Sequence, residues 1–217
     1  MSKLVTNISD KKYKIEDALL LLKNNAPRKF LESVEISVRF TVLPRKNFIL
    51  KGYSILPNAI GKNYRIAFFS EHDTVIDGCI KLDQNTLFKL TKKSLSFDIL
   101  LVTPVTVVKI GKLNKMLNGK KLMPDIKYGT ITTDLDAMVD KIRKNYITFK
   151  SDKNFSFNLL VGKLDLSVSE LVENIEVLLG DIKKQRPINC KSIYVKSLFV
   201  STTMGPGINI DIDSLNC

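Results

Sequence analysis

Apolar positions recur along the chain with two different periods, and the changes of period divide it into three segments. In the first, Ile15, Ala18, Leu19 and Leu22 share one helical face, with Glu16 and Asp17 where a first turn favours negative charge. Val34, Ile36, Val38 and Phe40 then alternate with Glu35, Ser37, Arg39 and Thr41, which predicts a half-buried antiparallel strand ended by Pro44, with a second strand after the turn. In the middle segment clean alternation is lost. Residues 64–69 and 97–102 are short, mostly apolar runs, as in strands of a parallel sheet covered on both faces, and helices are expected over roughly 86–93, 105–117 and 134–145. The last segment returns to the first style. Phe155, Phe157 and Leu159 alternate with Ser156 and Asn158. Ser167 and Glu170 then match a capping box ahead of a helix with Val168, Leu171, Val172, Ile175, Leu178, Leu179 and Ile182 on one face, and Pro187 follows its end. A final alternating strand is expected from Lys191 to Thr202, with Ile193, Val195, Leu198 and Val200 pointing inward.

This symmetry of style predicts an α/β protein of two domains: a split α+β domain from both termini (1–57 and 151–217), and an α/β domain (58–150) inserted between them. A length of 217 residues with 44% hydrophobic and 26% charged positions suits such a globular chain. No uncharged apolar run is long enough to cross a bilayer, and the apolar stretch near the start is short and carries Glu16 and Asp17, unlike a secretory signal. Cys79, Cys190 and Cys217 lie far apart, so no disulfide framework is implied and a reducing compartment fits.

Candidate chemistry narrows quickly. His72 is the single histidine, so zinc sites and Ser-His-Asp or Cys-His catalysis lack their parts. Neither a G-x-G-x-x-G nor a G-x-x-x-x-G-K-[ST] loop is present to cradle phosphates. Gly111, Gly119 and Gly129 read as turn glycines, and Asp134 with Asp136 as the favoured first turn of a helix. No catalytic residue, metal or cofactor is expected.

Charge points elsewhere. The chain carries 34 Lys and Arg against 22 Asp and Glu, a net charge of +12. Residues 1–57 contribute 11 basic and 5 acidic residues (+6), 58–150 contribute 16 and 9 (+7), and 151–217 contribute 7 and 8 (−1). Lys109, Lys112, Lys115, Lys120, Lys121 and Lys127 form a single-signed cluster broken only by Asp125; it fits either a solvated face or a polyanion partner. A second constellation brackets the outer strands: Arg28, Lys29, Phe30 and Ser33 at the first, Arg45 and Lys46 after its turn, and the run from Ser201 to Gly207 after the last. Cations for phosphates, an aromatic for stacking and small polar groups suit RNA, whereas a buried Phe30 and a plain Gly-Pro turn would suit a core. Lys (28), Ile (22) and Asn (16) are abundant while Ala occurs five times, as in an AT-biased genome, which suits an endosymbiont or organelle-encoded gene.

Ordered words then carry a resemblance. Phe30-Leu31-Glu32-Ser33-Val34-Glu35-Ile36, Leu43-Pro44-Arg45-Lys46 and Leu56-Pro57 with Gly61-Lys62 come first. Leu122-Met123-Pro124 with Lys127 and Gly129-Thr130, Val161-Gly162-Lys163, and Ser201-Thr202-Thr203-Met204-Gly205-Pro206 continue the order. From about Tyr13 to Pro206 the chain resembles the ribosomal L-one family, the protein of the mobile stalk on the large ribosomal subunit. The resemblance implies a non-enzymatic protein with a Rossmann-like inserted domain facing exit-site tRNA. It implies binding of large-subunit rRNA in the stalk, help in releasing deacylated tRNA, and repression of translation by binding its own mRNA. It assigns rRNA contact to Lys29, Phe30, Ser33, Arg45, Lys163, Thr203, Met204 and Gly205. Lys112, Lys120, Lys121 and Lys127 would face tRNA. The implied location is the cytoplasmic ribosome, or that of an endosymbiont or organelle. Where the family commonly has Leu-Pro-His-Gly, this chain has Leu56-Pro57-Asn58-Ala59, and Leu117-Asn118-Gly119-Lys120-Lys121 stands for Leu-Gly-Pro-Arg-Gly. Two other classes compete: an α/β enzyme holding a small phosphorylated ligand in an interdomain cleft, and a ribosome-assembly factor of the same fold.

Overall fold

A computed structural model describes residues 11–25, 29–41, 49–70, 76–82, 96–111, 117, 122–152, 154–185 and 195–212. The chain forms a mixed α/β structure of two compact units: Met1–Gly61 with Asn145–Cys217, and Lys62–Lys144. The first boundary sits at 61/62 beside the expected 57/58; the second sits at 144/145 and not 150/151 because β6 (Tyr146–Lys150) pairs with β2 (Lys51–Ile55) and so belongs to the first unit.

The first unit is built on a four-stranded antiparallel sheet ordered β7-β1-β8-β9, from Ser156–Lys163, Ser33–Phe40, Val195–Thr202 and Ile208–Ile210. In β1 every second side chain from Val34 to Phe40 is buried while Glu35, Ser37 and Arg39 are exposed. Helix α1 (Ile15–Asn24) buries Ile15, Ala18, Leu19 and Leu22, the face its spacing predicts. The long helix (Val168–Lys184, α4 below) buries Leu171, Ile175, Leu178, Leu179 and Ile182 in the same core, with Val168 and Val172 half-buried against it.

Two bulges set the sheet's detail. Opposite β1, Val161 of β7 is skipped between the Val34–Gly162 and Glu35–Leu160 pairs, and Lys196 of β8 is skipped between Arg39–Ser197 and Phe40–Val195. The extra residue at Lys196 reverses which face the strand's alternate positions meet. Leu198, Val200 and Thr202 are therefore buried. Val195, opposite buried Phe40, is turned to the same face and packs half-buried against the core, as the break in spacing between Val195 and Leu198 requires. Ile193, Pro44 and Pro187 lie outside the described residues.

The second unit holds a parallel sheet ordered β4-β3-β5 (Ile80–Lys81, Ile66–Phe69, Ile99–Val102). All four positions of β3 and of β5 are buried, which explains why their sequences do not alternate. Within 105–117, the described helix is α2 (Val107–Ile110); it starts late because Thr103–Thr106 forms a turn, and Val105 is 68% and Val108 82% exposed. Helix α3 (Leu135–Arg143) is capped by Asp134, whose carboxylate accepts the Ala137 N–H, so this acid works as a cap. The helix expected over 86–93 and His72 lie outside the described residues. Among the described residues no helix is long and apolar enough to cross a membrane, and no group of three His, Cys, Asp or Glu could hold a metal ion.

Helix α4 starts with the capping box expected from Ser167 and Glu170: the Ser167 hydroxyl accepts the Glu170 N–H, and the Glu170 carboxylate accepts the Ser167 N–H at 2.7 Å. The Ser167 N–H, and then its hydroxyl, hold the Glu170 carboxyl below the usual glutamate range. A carboxylate with a depressed folded pKa stabilises the fold above its unfolded pKa and loses that contribution as pH falls through the folded one. NMR titration of the side-chain carboxyls is expected to show Glu170 protonating at lower pH than an unstructured glutamate. Ser167→Ala keeps the N–H and removes the hydroxyl, so it should move that midpoint part of the way back up and cost about 1 kcal/mol of stability; an unmoved midpoint would contradict the hydroxyl's share in the cap.

Candidate nucleic-acid interface

Antiparallel pairing brings the start of β1 beside the ends of both its neighbours, so three separate stretches of sequence meet at one end of the sheet. Ser33 is in register with Lys163 of β7, and Val34 with Thr202 of β8. The chain then leaves β8 through Thr203, Met204 and Gly205, which fold back over the first residues of β1. The Ser33 carbonyl accepts the Thr203 N–H at 3.1 Å, and the Thr203 hydroxyl accepts the Ser33 N–H at 3.1 Å. The Glu32 carboxylate accepts the Met204 N–H at 3.1 Å, and the Glu32 carbonyl accepts the Leu164 N–H at 3.1 Å.

This backbone arrangement presents a mixed surface. Lys29 and Thr203 are exposed, Phe30 is 54% exposed and Met204 is 60% exposed. Leu31, not singled out in the sequence, adds apolar surface at 50%. Exposed aromatic and thioether groups next to a lysine and hydroxyls are the components of a surface that takes nucleobase or sugar on one part and phosphate on another. Lys163 is half-buried, and its side chain lies over Gly61, where a Cβ would sit 2.8 Å from both Cε and Nζ. Gly61 has φ +68°, so the lysine occupies space that a side chain at this position would need. At the far side of the loop a Cβ on Gly205 would fall 2.3 Å from the Thr202 hydroxyl, so only glycine fits the turn as built.

Thus Phe30, Ser33, Lys163, Thr203, Met204 and Gly205 belong to one end of the sheet, and Lys29 leads into it. Arg45 lies outside the described residues, as do Lys112, Lys120 and Lys121. Lys127 belongs to the second unit, on a 3-10 turn (Ile126–Tyr128) whose tip also exposes Ile126 by 76%. Asp125 accepts the Lys127 N–H, and Gly129 at φ +67° closes the turn, so the exposed Lys127 stands on a braced loop.

Two supporting residues escaped the sequence reading. Glu32 is 2% exposed, and Asn174 of α4 is fully buried, its Nδ2 donating to the Val161 carbonyl at 2.9 Å. A signal existed for each: Glu32 is in phase with the buried face of β1, and Asn174 with the apolar stripe of α4. A polar group in such a phase has to find partners inside.

Comparison with known proteins points the same way. The sequence model of the Ribosomal protein L1p/L10e family matches residues 22–206. The large ribosomal subunit protein uL1 of Legionella pneumophila (strain Corby) is 34% identical over 209 residues, covering 94% of this chain and 90% of that protein. Its counterpart from Pseudomonas aeruginosa (strain LESB58) is 35% identical over 214 residues, 96% and 93% of the two chains. That from Dichelobacter nodosus is 34% identical over 211 residues, 94% and 91%.

Proposed function

The chain belongs to the Ribosomal protein L1p/L10e family, whose members are structural proteins rather than enzymes, and from that premise we propose that it is the stalk protein of the large ribosomal subunit. In this role it works on cytoplasmic ribosomes and binds large-subunit rRNA through the first unit. The observation that carries the proposal is the convergence of Lys163, Ser33, Thr203 and the exposed Met204 at one sheet end, beside the exposed Lys29-Phe30 entry. Lys29, Lys163 and Arg45 neutralise phosphates. Phe30 and Met204 give apolar contact to base or sugar, and Ser33, Thr203 and the Gly205 backbone bond ribose hydroxyls, which DNA lacks.

The second unit, read as a Rossmann-like domain, faces the exit-site tRNA with Lys112, Lys120, Lys121 and Lys127 and helps release deacylated tRNA. The same RNA surface of the first unit serves repression when it binds the protein's own mRNA. No cofactor or metal enters this function.

Single substitutions test the rRNA assignment. Lys29→Ala and Lys163→Ala are each expected to reduce the slope of log affinity against log salt by about 1, with affinity falling on every RNA alike. Phe30→Ala should leave the slope unchanged and lower affinity by about 1–3 kcal/mol if a base stacks on the ring. Unchanged affinity and slope in all three would remove the assignment. Stable association with mature large subunits, rather than with immature particles alone, separates a ribosomal protein from an assembly factor.

A further inference from the structure

The RNA interface proposed above contains one acidic group that a phosphate-binding surface should avoid, and its placement assigns it a task. Glu32 lies at the entry to β1 between the two loops that carry the interface, and its carboxylate is turned inward, leaving the residue 2% exposed. Its two sides act on different loops. Its main-chain carbonyl accepts the Leu164 N–H at 3.1 Å, which fixes the chain just after Lys163. Its carboxylate accepts the Met204 N–H at 3.1 Å, which fixes the loop after β8. The next residue, Ser33, bonds Thr203 on that loop, through main chain and hydroxyl. The Thr203–Gly205 turn is thus held by Ser33 at its first residue and by a side chain at its second. A hydrogen bond from an amide to a carboxylate is stronger than one to a neutral oxygen, and burial strengthens it further.

We propose that Glu32 is a positioning residue of this interface: its buried carboxylate, by accepting the Met204 N–H, sets the Thr203-Met204-Gly205 loop in the pose that meets RNA, without touching RNA itself. The proposal rests on the rRNA-binding reading and deepens it. Because the link to Leu164 is main-chain, a side-chain substitution at Glu32 removes the carboxylate's bond to the Met204 N–H and keeps the main-chain bond on the Lys163 side.

The test compares wild type, Glu32→Ala, Glu32→Asp and Glu32→Gln for binding to a stalk-rRNA fragment across a salt series. Amide hydrogen exchange is followed in parallel on the free proteins. Glu32→Ala and the one-methylene-shorter Glu32→Asp are expected to weaken binding by about tenfold with the salt slope unchanged, since no phosphate contact is lost. Glu32→Gln keeps an acceptor oxygen at the same reach and is expected to stay within about threefold of wild type. In the free protein the Met204 amide should be protected, and in Glu32→Ala it should exchange faster while the amides within β1 do not. A carboxylate that merely stood near RNA would repel it, so unchanged or tighter binding by Glu32→Ala overturns the proposal. Equal losses for Gln and Ala overturn it also, because then the negative charge and not the acceptor matters. Should Glu32→Ala fail to fold, Glu32→Asp, which keeps a carboxylate, and the wild-type exchange rate of Met204 decide it; an unprotected Met204 amide sinks the idea. A wild type that binds the fragment no better than scrambled RNA overturns the rRNA reading itself, an outcome distinct from Glu32 variants that bind normally beside a specific wild type.

Discussion

Asn174→Leu is expected to destabilise the protein by about 2–4 kcal/mol, lowering the midpoint of thermal unfolding by about 5–12 °C. Asn174 is fully buried on the inner face of α4, among Leu171, Ile175 and Leu178. Its Nδ2 donates to the Val161 carbonyl at 2.9 Å and to the Asn58 carbonyl at 3.4 Å, and its Oδ1 accepts the Asn58 N–H at 3.0 Å. Val161 is the extra residue of the β7 bulge, so its carbonyl has left the regular ladder with β1, and Asn174 supplies its partner. Asn58 also donates from its Nδ2 to the Glu170 carbonyl and to Glu173, which fastens the Leu56-Pro57-Asn58-Ala59 stretch to the start of α4. Leucine keeps the branching and heavy-atom count, though it is bulkier, and leaves the buried Val161 carbonyl and the Asn58 N–H without this partner. Asn174→Asp separates hydrogen bonding from packing. It keeps the shape, replaces the donor with an acceptor facing two carbonyls, and should cost at least as much as leucine at neutral pH. Circular dichroism melts check both. A leucine variant as stable as wild type would mean that the bulge carbonyl is satisfied in another way.

The second large effect is on binding. Gly205→Ala is expected to weaken RNA binding by about tenfold or more while the sheet remains folded. The new methyl would lie 2.3 Å from the Thr202 hydroxyl and 3.6 Å from Leu22 Cδ2. Thr202 is 5% exposed and belongs to the inward row of β8, so it has little room to move. The loop has to shift instead, carrying Met204 and Thr203 away from Ser33 and Glu32. The clash names its own remedy. Thr202→Ala removes the hydroxyl oxygen, and the next contact, to Thr202 Cβ at 3.5 Å, is ordinary. The double variant Thr202→Ala with Gly205→Ala should therefore recover much of the lost affinity, and a double-mutant cycle reads the coupling directly. Additive losses would contradict the steric account.

Sequence patterning captured what depends on near neighbours in the chain. The buried face of α1, the alternation of β1 and the Ser167–Glu170 capping box are all decided within a few residues, and the structure has each of them. What it missed depends on pairing between distant segments. The bulges opposite β1, at Val161 and Lys196, are properties of strand register that no single stretch of sequence shows. Short strands such as Ile80–Lys81 and Ile208–Ile210 have too few residues to show a period. The candidate interface divides in the same way. Lys29, Phe30 and Thr203 could be named from residue type and word order, but their exposure could not, because Phe30 in a core strand would read identically. Glu32 and Asn174 were readable in phase with buried faces, yet only the fold shows which N–H and C=O groups they satisfy.

The central claim is that this surface recognises one RNA structure and does not simply attract polyanions through a net charge of +12. The most direct measurement is the affinity of the full chain for a stalk-rRNA fragment against a scrambled duplex of equal length, across a salt series. Electrostatic attraction alone falls steeply with salt and ignores sequence, whereas apolar and hydroxyl contacts persist. The account predicts tight, fragment-specific binding that survives moderate salt. Equal, steeply salt-dependent binding to both RNAs would contradict it.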